Sequence, residues 1–191
     1  MSAFEFADAF EALVKRDLDA IRHASQSPSA MASRDQRGQT PLHWAVRLRQ
    51  VEAVRVLVAG ALADLNAQDQ WGNTALHYAV RHEPEAEIAT ELLINGANPM
   101  HPNAAGETPA FEALSLGKRP VFEQLAALAD LDAPANARGE TLRQCVQRQR
   151  PEWGNLLAPR TLGEAAVLHR GTVAGPLEAS VAPERRVFRP R

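Results

Sequence analysis

Cysteine, aromatic residues and long apolar runs are all scarce in this chain of 191 residues. The one cysteine, Cys145, excludes an internal disulfide framework and suits a reducing compartment. No uncharged apolar stretch reaches the roughly 18 residues that a transmembrane helix needs. The amino terminus shows no basic region followed by an apolar run, so it does not resemble a secretory signal. We therefore expect a cytoplasmic protein that does not enter a membrane.

An excess of either charge sign is also missing. The sequence has 21 Lys and Arg residues against 23 Asp and Glu residues, a formal net charge of −2. The chain as a whole therefore lacks the excess of positive charge that is typical of nucleic-acid-binding proteins. The sequence contains no Gly-rich phosphate loop, no His-Glu-x-x-His helix and no Gly-x-Ser-x-Gly elbow. We expect no catalysis and no cofactor or metal, and an enzyme or metalloprotein is the least favoured alternative.

What the chain does contain is an internal repeat. Residues 38–45 read Gly-Gln-Thr-Pro-Leu-His-Trp-Ala, and residues 72–79, which begin 34 positions later, read Gly-Asn-Thr-Ala-Leu-His-Tyr-Ala. A looser copy, Gly-Glu-Thr-Pro-Ala-Phe-Glu-Ala, occupies 106–113, and a remnant, Gly-Glu-Thr-Leu, occupies 139–142. A fixed period in the low thirties is typical of stacked helical repeats.

Each copy predicts a turn followed by two short helices. Gly38 tolerates the positive φ of a turn, Thr40 can cap a helix, and Pro41 fits the first helical position. An inner helix is predicted from there, and an outer helix follows with apolar residues at helical spacing. Upstream of the first copy, residues 25–30 (Ser-Gln-Ser-Pro-Ser-Ala) are predicted to form a loop.

The repeat divides the chain into three parts. The first part lacks the repeated motif but has helical apolar spacing, which is typical of a capping helix pair. The last part has six arginines, three glutamates and scattered Pro and Gly, and we expect it to be a flexible basic tail. The predicted boundaries are 1–33 for the cap, 34–67, 68–101, 102–133 and 134–157 for the repeats (the fourth a degenerate carboxy-terminal cap), and 158–191 for the tail.

The sequence Asp-x-x-Gly-x-Thr-Pro-Leu-His-x-Ala at 35–45 resembles the ankyrin repeat motif, as does its copy at 69–79. The resemblance covers roughly residues 3–157 and is most specific in the first two repeats. It departs from the motif at Ala75, which replaces Pro, and at 110–111, where Ala-Phe replaces Leu-His. The resemblance implies an all-α ankyrin-repeat solenoid of stacked helix-turn-helix repeats with short β-turn tips.

The same resemblance implies a non-catalytic function. Ankyrin arrays bind protein partners through their turn tips and the exposed face of their inner helices, so a monomeric protein–protein interaction module is expected. Two alternatives stay open: a dedicated inhibitor or immunity-type protein of one enzyme, and a docking function of the basic tail. The residues carried over as partner-binding candidates are Gln36, Arg37, Gln39, Arg47, Leu48, Gln70, Trp71, Asn73, Arg81, His82, Glu107 and Ser115, with Ala104, Ala105 and Leu116 at matching positions.

Trp71 is the sharpest candidate among them, because it occupies a turn position where the fold requires no side chain. It is either an exposed binding anchor or folded onto a neighbouring turn. Trp44 and Tyr78 occupy equivalent positions on successive inner helices, and we expect their rings to stack on each other.

The arginines among the candidates, Arg37, Arg47 and Arg81, predict a basic concave side that suits an acidic partner segment; solvated arginines without a partner are the alternative. The resemblance gives His43 and His77 a structural role, hydrogen bonding between adjacent turns.

Overall fold

The computed structural model describes residues 4–82 and 86–157, with side chains from Ala9 onward. The predicted tail, 158–191, lies outside the described residues. The described residues form ten α-helices and a closing 3₁₀-helix, in the order α1 Phe4–Lys15, α2 Leu18–Ala24, α3 Pro28–Ala32, α4 Pro41–Arg47, α5 Val51–Ala59, α6 Ala75–His82, α7 Glu87–Ile94, α8 Pro109–Ser115, α9 Arg119–Leu128, α10 Leu142–Gln149 and 3₁₀ Pro151–Leu157.

The short helix α3 lies where the sequence predicted a loop over 25–30. The Ser27 hydroxyl accepts a hydrogen bond from the Ala30 amide at 3.4 Å, and Pro28 occupies the first turn of the helix. Ala30 and Met31 are buried against the core. The loop prediction was therefore wrong over its second half, because a capping serine, a helix-compatible proline and two buried side chains together support one helical turn.

A threonine immediately precedes each of the four inner helices, α4, α6, α8 and α10. The Thr108 hydroxyl accepts a hydrogen bond from the Phe111 amide at 3.2 Å, and the Thr141 hydroxyl accepts one from the Gln144 amide at 3.3 Å. These bonds satisfy amides that have no partner within the helix, which explains why the helices begin at fixed positions in the repeat.

The helices pack in sequence rather than around a single centre. The inner helices form one row, α4–α6–α8–α10, and the outer helices form a second row, α5–α7–α9 and the 3₁₀-helix, with α1 against α4 and α2 against α5. Within 4–82 and 86–157, extended pairing is limited to one isolated bridge between Pro134 and Thr141. The predicted all-α stack of helix pairs is confirmed.

The core is mainly aliphatic, consistent with an aromatic content of only 5%, and alanine is its commonest residue. Its largest fully buried side chain is Phe122 of α9, whose ring centroid lies 5.2 Å from that of Trp153 in the 3₁₀-helix. Trp153, Leu156 and Leu157 are all buried. The 3₁₀-helix therefore covers the apolar face that α9 would otherwise expose at the end of the stack.

Candidate interaction surface

Each turn between repeats is organised by one Asp or Asn side chain. In the second turn, Asp69 Oδ1 accepts hydrogen bonds from the backbone amides of Trp71 and Asn73, each at 2.9 Å. Gly72 lies between them with φ of 73°, and its amide donates to the Asp69 carbonyl at 2.9 Å. The side-chain bonds recur in the other turns, where the acceptors are Asp35, Asn103 and Asn136. The turn tips therefore have a defined backbone conformation before any partner binds.

The same Asp or Asn side chain also reaches the inner helix nine residues later. Trp44 Nε1 donates to Asp35 Oδ2 at 2.9 Å, and the Tyr78 hydroxyl donates to Asp69 Oδ2 at 2.6 Å. Burial and this bond to Asp69 raise the pKa of Tyr78 to about 12. In the third and fourth repeats the turn residue is an asparagine, and its side-chain amide is the donor. Asn103 donates to Glu112 at 3.4 Å, and Asn136 donates to Cys145 at 3.3 Å.

His43 and His77 join neighbouring turns, as the resemblance implied. Nε2 of His43 bonds the Asn73 carbonyl at 3.1 Å, and Nε2 of His77 bonds the Glu107 carbonyl at the same distance. Both rings are buried, and burial lowers the pKa of both, that of His77 to about 4. The predicted structural role of these histidines is confirmed.

The third repeat has Phe111 where the first two have histidine, and another side chain takes over the link. The Thr108 hydroxyl and amide both bond the Ala135 carbonyl at 3.1 Å. Thr108 therefore connects the third turn to the fourth, and the departure from the motif at this position does not interrupt the stack.

Arg47, at the end of α4, is held by two aromatic rings and one side-chain amide. Its guanidinium carbon lies 5.9 Å from the Trp44 ring centroid and 6.0 Å from that of Tyr78, and Nη1 donates to Gln39 Oε1. The expected stacking of Trp44 on Tyr78 was wrong, because Arg47 lies over both rings. Trp44 instead contacts Phe10 edge-on with centroids 5.4 Å apart.

Arg81, the equivalent residue in the second repeat, has a different environment. It forms an ion pair with Glu112, whose side chain is only 7% exposed, and it donates to Asn73 Oδ1 at 3.0 Å. Burial raises the pKa of Glu112, and the Arg81 charge and hydrogen bond oppose that shift. The predicted basic concave side is therefore corrected: Arg81 neutralises a buried carboxylate and adds no net positive charge there.

A groove of about 790 Å³ across the first two repeats is lined by three arginines and a single acid. Burial acts to raise the pKa of Asp35, the one acid of its lining, but hydrogen bonds from the Gln39 amide and the Trp44 indole lower it overall. Burial and then the nearby Arg47 charge lower the pKa of His82, which favours its neutral form. The lining residues are Arg34, Asp35, Gln36, Arg37, Trp44, Arg47, Leu48 and His82.

Most of the sequence-predicted site residues are accessible, and two are not. Gln39 is 1% exposed and Asn73 is 5% exposed, so their side chains support Arg47 and Arg81 rather than meeting a partner. That part of the prediction is corrected. The exposed candidates are Gln36, Arg37, Arg47, Leu48, Gln70, Trp71, His82 and Ser115, and the half-buried ones are Arg81 and Glu107. Ala104, Ala105 and Leu116 are also exposed.

Two residues that shape this surface were missing from the prediction. Arg34 lines the groove, and its Nη1 donates to the carbonyls of Gly38 at 2.9 Å and Gln68 at 2.6 Å. Glu112 is the partner of Arg81. A signal for Glu112 was present, because it occupies the position of Trp44 and Tyr78 in the repeat, where a carboxylate on an inner helix requires a cation.

The described residues contain one thiol, no candidate metal site and no membrane-length helix. Cys145 is buried, and burial raises the pKa of its thiol. No group of three or more His, Cys, Asp or Glu side chains there could hold a metal ion. No helix among them is both long enough and apolar enough to cross a membrane.

Comparison with protein families places most of the described residues within a known repeat family. A family model described as Ankyrin repeats (3 copies) matches residues 9–103 and 59–138. The two matches together run from α1 to the turn before α10 and so include the groove and the exposed tips. A search of curated proteins found no match to the chain.

Proposed function

Because the chain belongs to the ankyrin repeat family, whose members are generally protein–protein interaction modules, we propose that it binds a protein partner through its concave face and turn tips. Repeats of this family are typically non-catalytic. The proposed contact residues are the accessible candidates on the turn tips and inner helices. Fold-level likeness defines the class of function, and the partner-binding role of individual residues rests on their exposure.

Exposed Trp71 carries the proposal. The side chain is 45% exposed, although tryptophan is the side chain with the most apolar area to bury. Its backbone is bonded on both sides, since its amide donates to Asp69 and its carbonyl accepts from the Ala104 amide at 2.9 Å. A large aromatic side chain on an ordered backbone loses little conformational freedom on binding, which is why tryptophan is enriched among binding hot spots.

We predict that Trp71→Ala weakens partner binding by about 1–2 kcal/mol, the usual scale for an interface anchor. The partner would be captured from lysate of the native host and its affinity then measured by calorimetry with both purified proteins. Unfolding in urea should change little, because almost half of the side chain is already in water.

The matched control is Leu128→Ala, which removes a 57% exposed apolar side chain at the end of outer helix α9. This variant should bind like the wild type. Equal affinities for wild type and Trp71→Ala would contradict the proposal for Trp71. If the captured partner is an enzyme, its activity in the complex distinguishes an adaptor from a dedicated inhibitor, since both would use this surface.

A further inference from the structure

We propose that the first two repeats bind an acidic peptide segment, with its carboxylates on Arg37 and Arg47 and an apolar side chain against Leu48 and His82. This inference rests on the proposed function and specifies the partner chemistry at one part of the same surface. It rests on three observations: the net positive charge of the groove, the fixed position of the Arg47 side chain, and the excess of acids in the next groove.

The groove has cationic groups that internal contacts leave available. Within the described residues, Arg37 makes no side-chain hydrogen bond or ion pair, and Arg47 uses one of the five donors of a guanidinium. Asp35 already accepts from two backbone amides and from the Trp44 indole. The three arginines of the lining therefore exceed its single acid by two charges, and an incoming carboxylate would meet unused donors.

Arg47 is ordered by a chain of hydrogen bonds that crosses two repeats. Gln39 Oε1 accepts from Arg47, Gln39 Nε2 donates to the Tyr78 hydroxyl at 2.8 Å, and that hydroxyl donates to Asp69. Trp44 and Tyr78 lie against the guanidinium. An arginine held in this way gives up little side-chain entropy when it pairs with a carboxylate, which favours recognition over loose charge attraction.

Apolar contact is available beside the arginines. Leu48 is 37% exposed at the end of α4, and the exposed His82 stacks on Tyr78 with ring centroids 6.1 Å apart. The pKa of His82 is lowered, which favours the neutral imidazole and so an aromatic edge without charge. A segment that alternates carboxylates with apolar side chains therefore matches both kinds of group.

The next groove along the stack has the opposite balance of charge. The groove across the second and third repeats is lined by Arg81 together with Glu107 and Glu112, so acids outnumber bases. This places the acidic segment on the first two repeats rather than along the whole stack. The tail at 158–191, with six arginines and three glutamates, has the wrong sign to occupy the basic groove.

The test uses fluorescein-labelled peptides of about twelve residues that alternate Glu with Leu, and a matched set with Gln in place of Glu. Fluorescence anisotropy with the full chain should show the Glu peptide binding at least about tenfold more tightly than the Gln peptide, and this difference should shrink with added salt. Arg37→Glu and Arg47→Glu should each weaken the Glu peptide at least about fivefold.

Arg138→Glu is the matched control, because Arg138 occupies the position of Arg37 in the fourth turn and is also exposed. It changes the net charge equally and should leave peptide affinity within about twofold. Arg37→Glu breaks no side-chain bond of the described fold, so it keeps the test valid even if Arg47→Glu disturbs folding.

Three results would overturn the inference: equal binding of the Glu and Gln peptides, equal loss with Arg138→Glu, or an oligothymidylate probe that binds as tightly as the Glu peptide. The last would assign the groove to a nucleic-acid backbone. Each of these leaves the broader proposal standing if Trp71→Ala still weakens the captured partner. Equal affinity of wild type and Trp71→Ala for the captured partner, with peptide binding retained, would instead contradict the anchor role of Trp71 alone.

Discussion

His77 joins two repeats with both nitrogens of one ring. Nδ1 accepts a hydrogen bond from the Thr74 amide at 3.0 Å, so in the neutral ring Nε2 carries the proton and donates to the Glu107 carbonyl. A second proton on Nδ1 would remove an acceptor and place a charge in a buried site. Burial accordingly lowers the pKa of His77 to about 4.

We predict that the free energy of unfolding falls as the pH drops from about 6.5 to about 4 and changes little between about 7 and 8. In that acid window the unfolded chain protonates His77 whereas the folded protein does not, so lowering the pH favours unfolding. His43 has the same bonds and a lowered pKa, and it should add to the slope.

Urea titrations across this pH range would measure the slope in the wild type and in His77→Gln. The variant should be less stable at neutral pH but should lose less stability between pH 6.5 and about 5, before most carboxylates titrate. An identical slope in both proteins would contradict the assignment to His77.

At the scale of the element, the turn glycines differ in what lies next to them. Gly72 and Gly139 have φ of 73° and 71°, a conformation that costs a residue with a Cβ about 1–2 kcal/mol. A Cβ on Gly72 would lie 2.5 Å from the backbone nitrogen of Ala104 in the next turn, whereas a Cβ on Gly139 would meet nothing within 4 Å. The turn at Gly72 is therefore packed tightly against the next turn, whereas the turn at Gly139 has open space beside it.

We predict that Gly139→Ala lowers the free energy of unfolding by about 1 kcal/mol and that Gly72→Ala lowers it by at least about 3 kcal/mol. The first change strains only the backbone, and the second also separates two turns that are joined by the bond from the Ala104 amide to the Trp71 carbonyl. Equilibrium unfolding in urea gives both values. Equal losses would show that packing between these turns adds nothing to stability.

At the scale of the whole molecule, described residues cap both ends of the stack formed by the inner and outer helices. The cap helices cover α4 and α5 at one end, and Trp153 covers Phe122 at the other. The groove and Trp71 both lie between these ends. We expect partner binding through them to need no contribution from residues 158–191.

We therefore predict that deletion of 159–191 leaves the urea unfolding midpoint and the partner affinity unchanged. The reason is that all of the buried apolar residues described above precede position 158. Calorimetry with the captured partner would decide the point. Loss of binding on deletion, with the unfolding midpoint retained, would move the docking function into the tail.

Much of the fold was predictable because the repeated motif acts locally. Thr108 caps the helix that follows it, and Gly72 supplies the positive φ that its own turn requires. The helix α3 was missed for two reasons. Its local cap at Ser27 is weak, and the burial of Met31 that stabilises it cannot be inferred from so short a stretch of sequence. Within the candidate site, the sequence predicted the position of Trp71 but not its exposure.

The sequence alone determined the repeat length, the turn positions, the order of the helices within each repeat and the family, since all of these follow from a short local motif and its recurrence. Tertiary structure decided which polar residues remain available. Gln39 and Asn73 are buried, and Arg81 is paired, because their surroundings include Tyr78 and Glu112, which lie 39 and 31 positions away from Gln39 and Arg81. Arg47 keeps free donors because the groove beside it contains no second acid. Burial and pairing depend on contacts across repeats, and a pattern read within one repeat does not contain them.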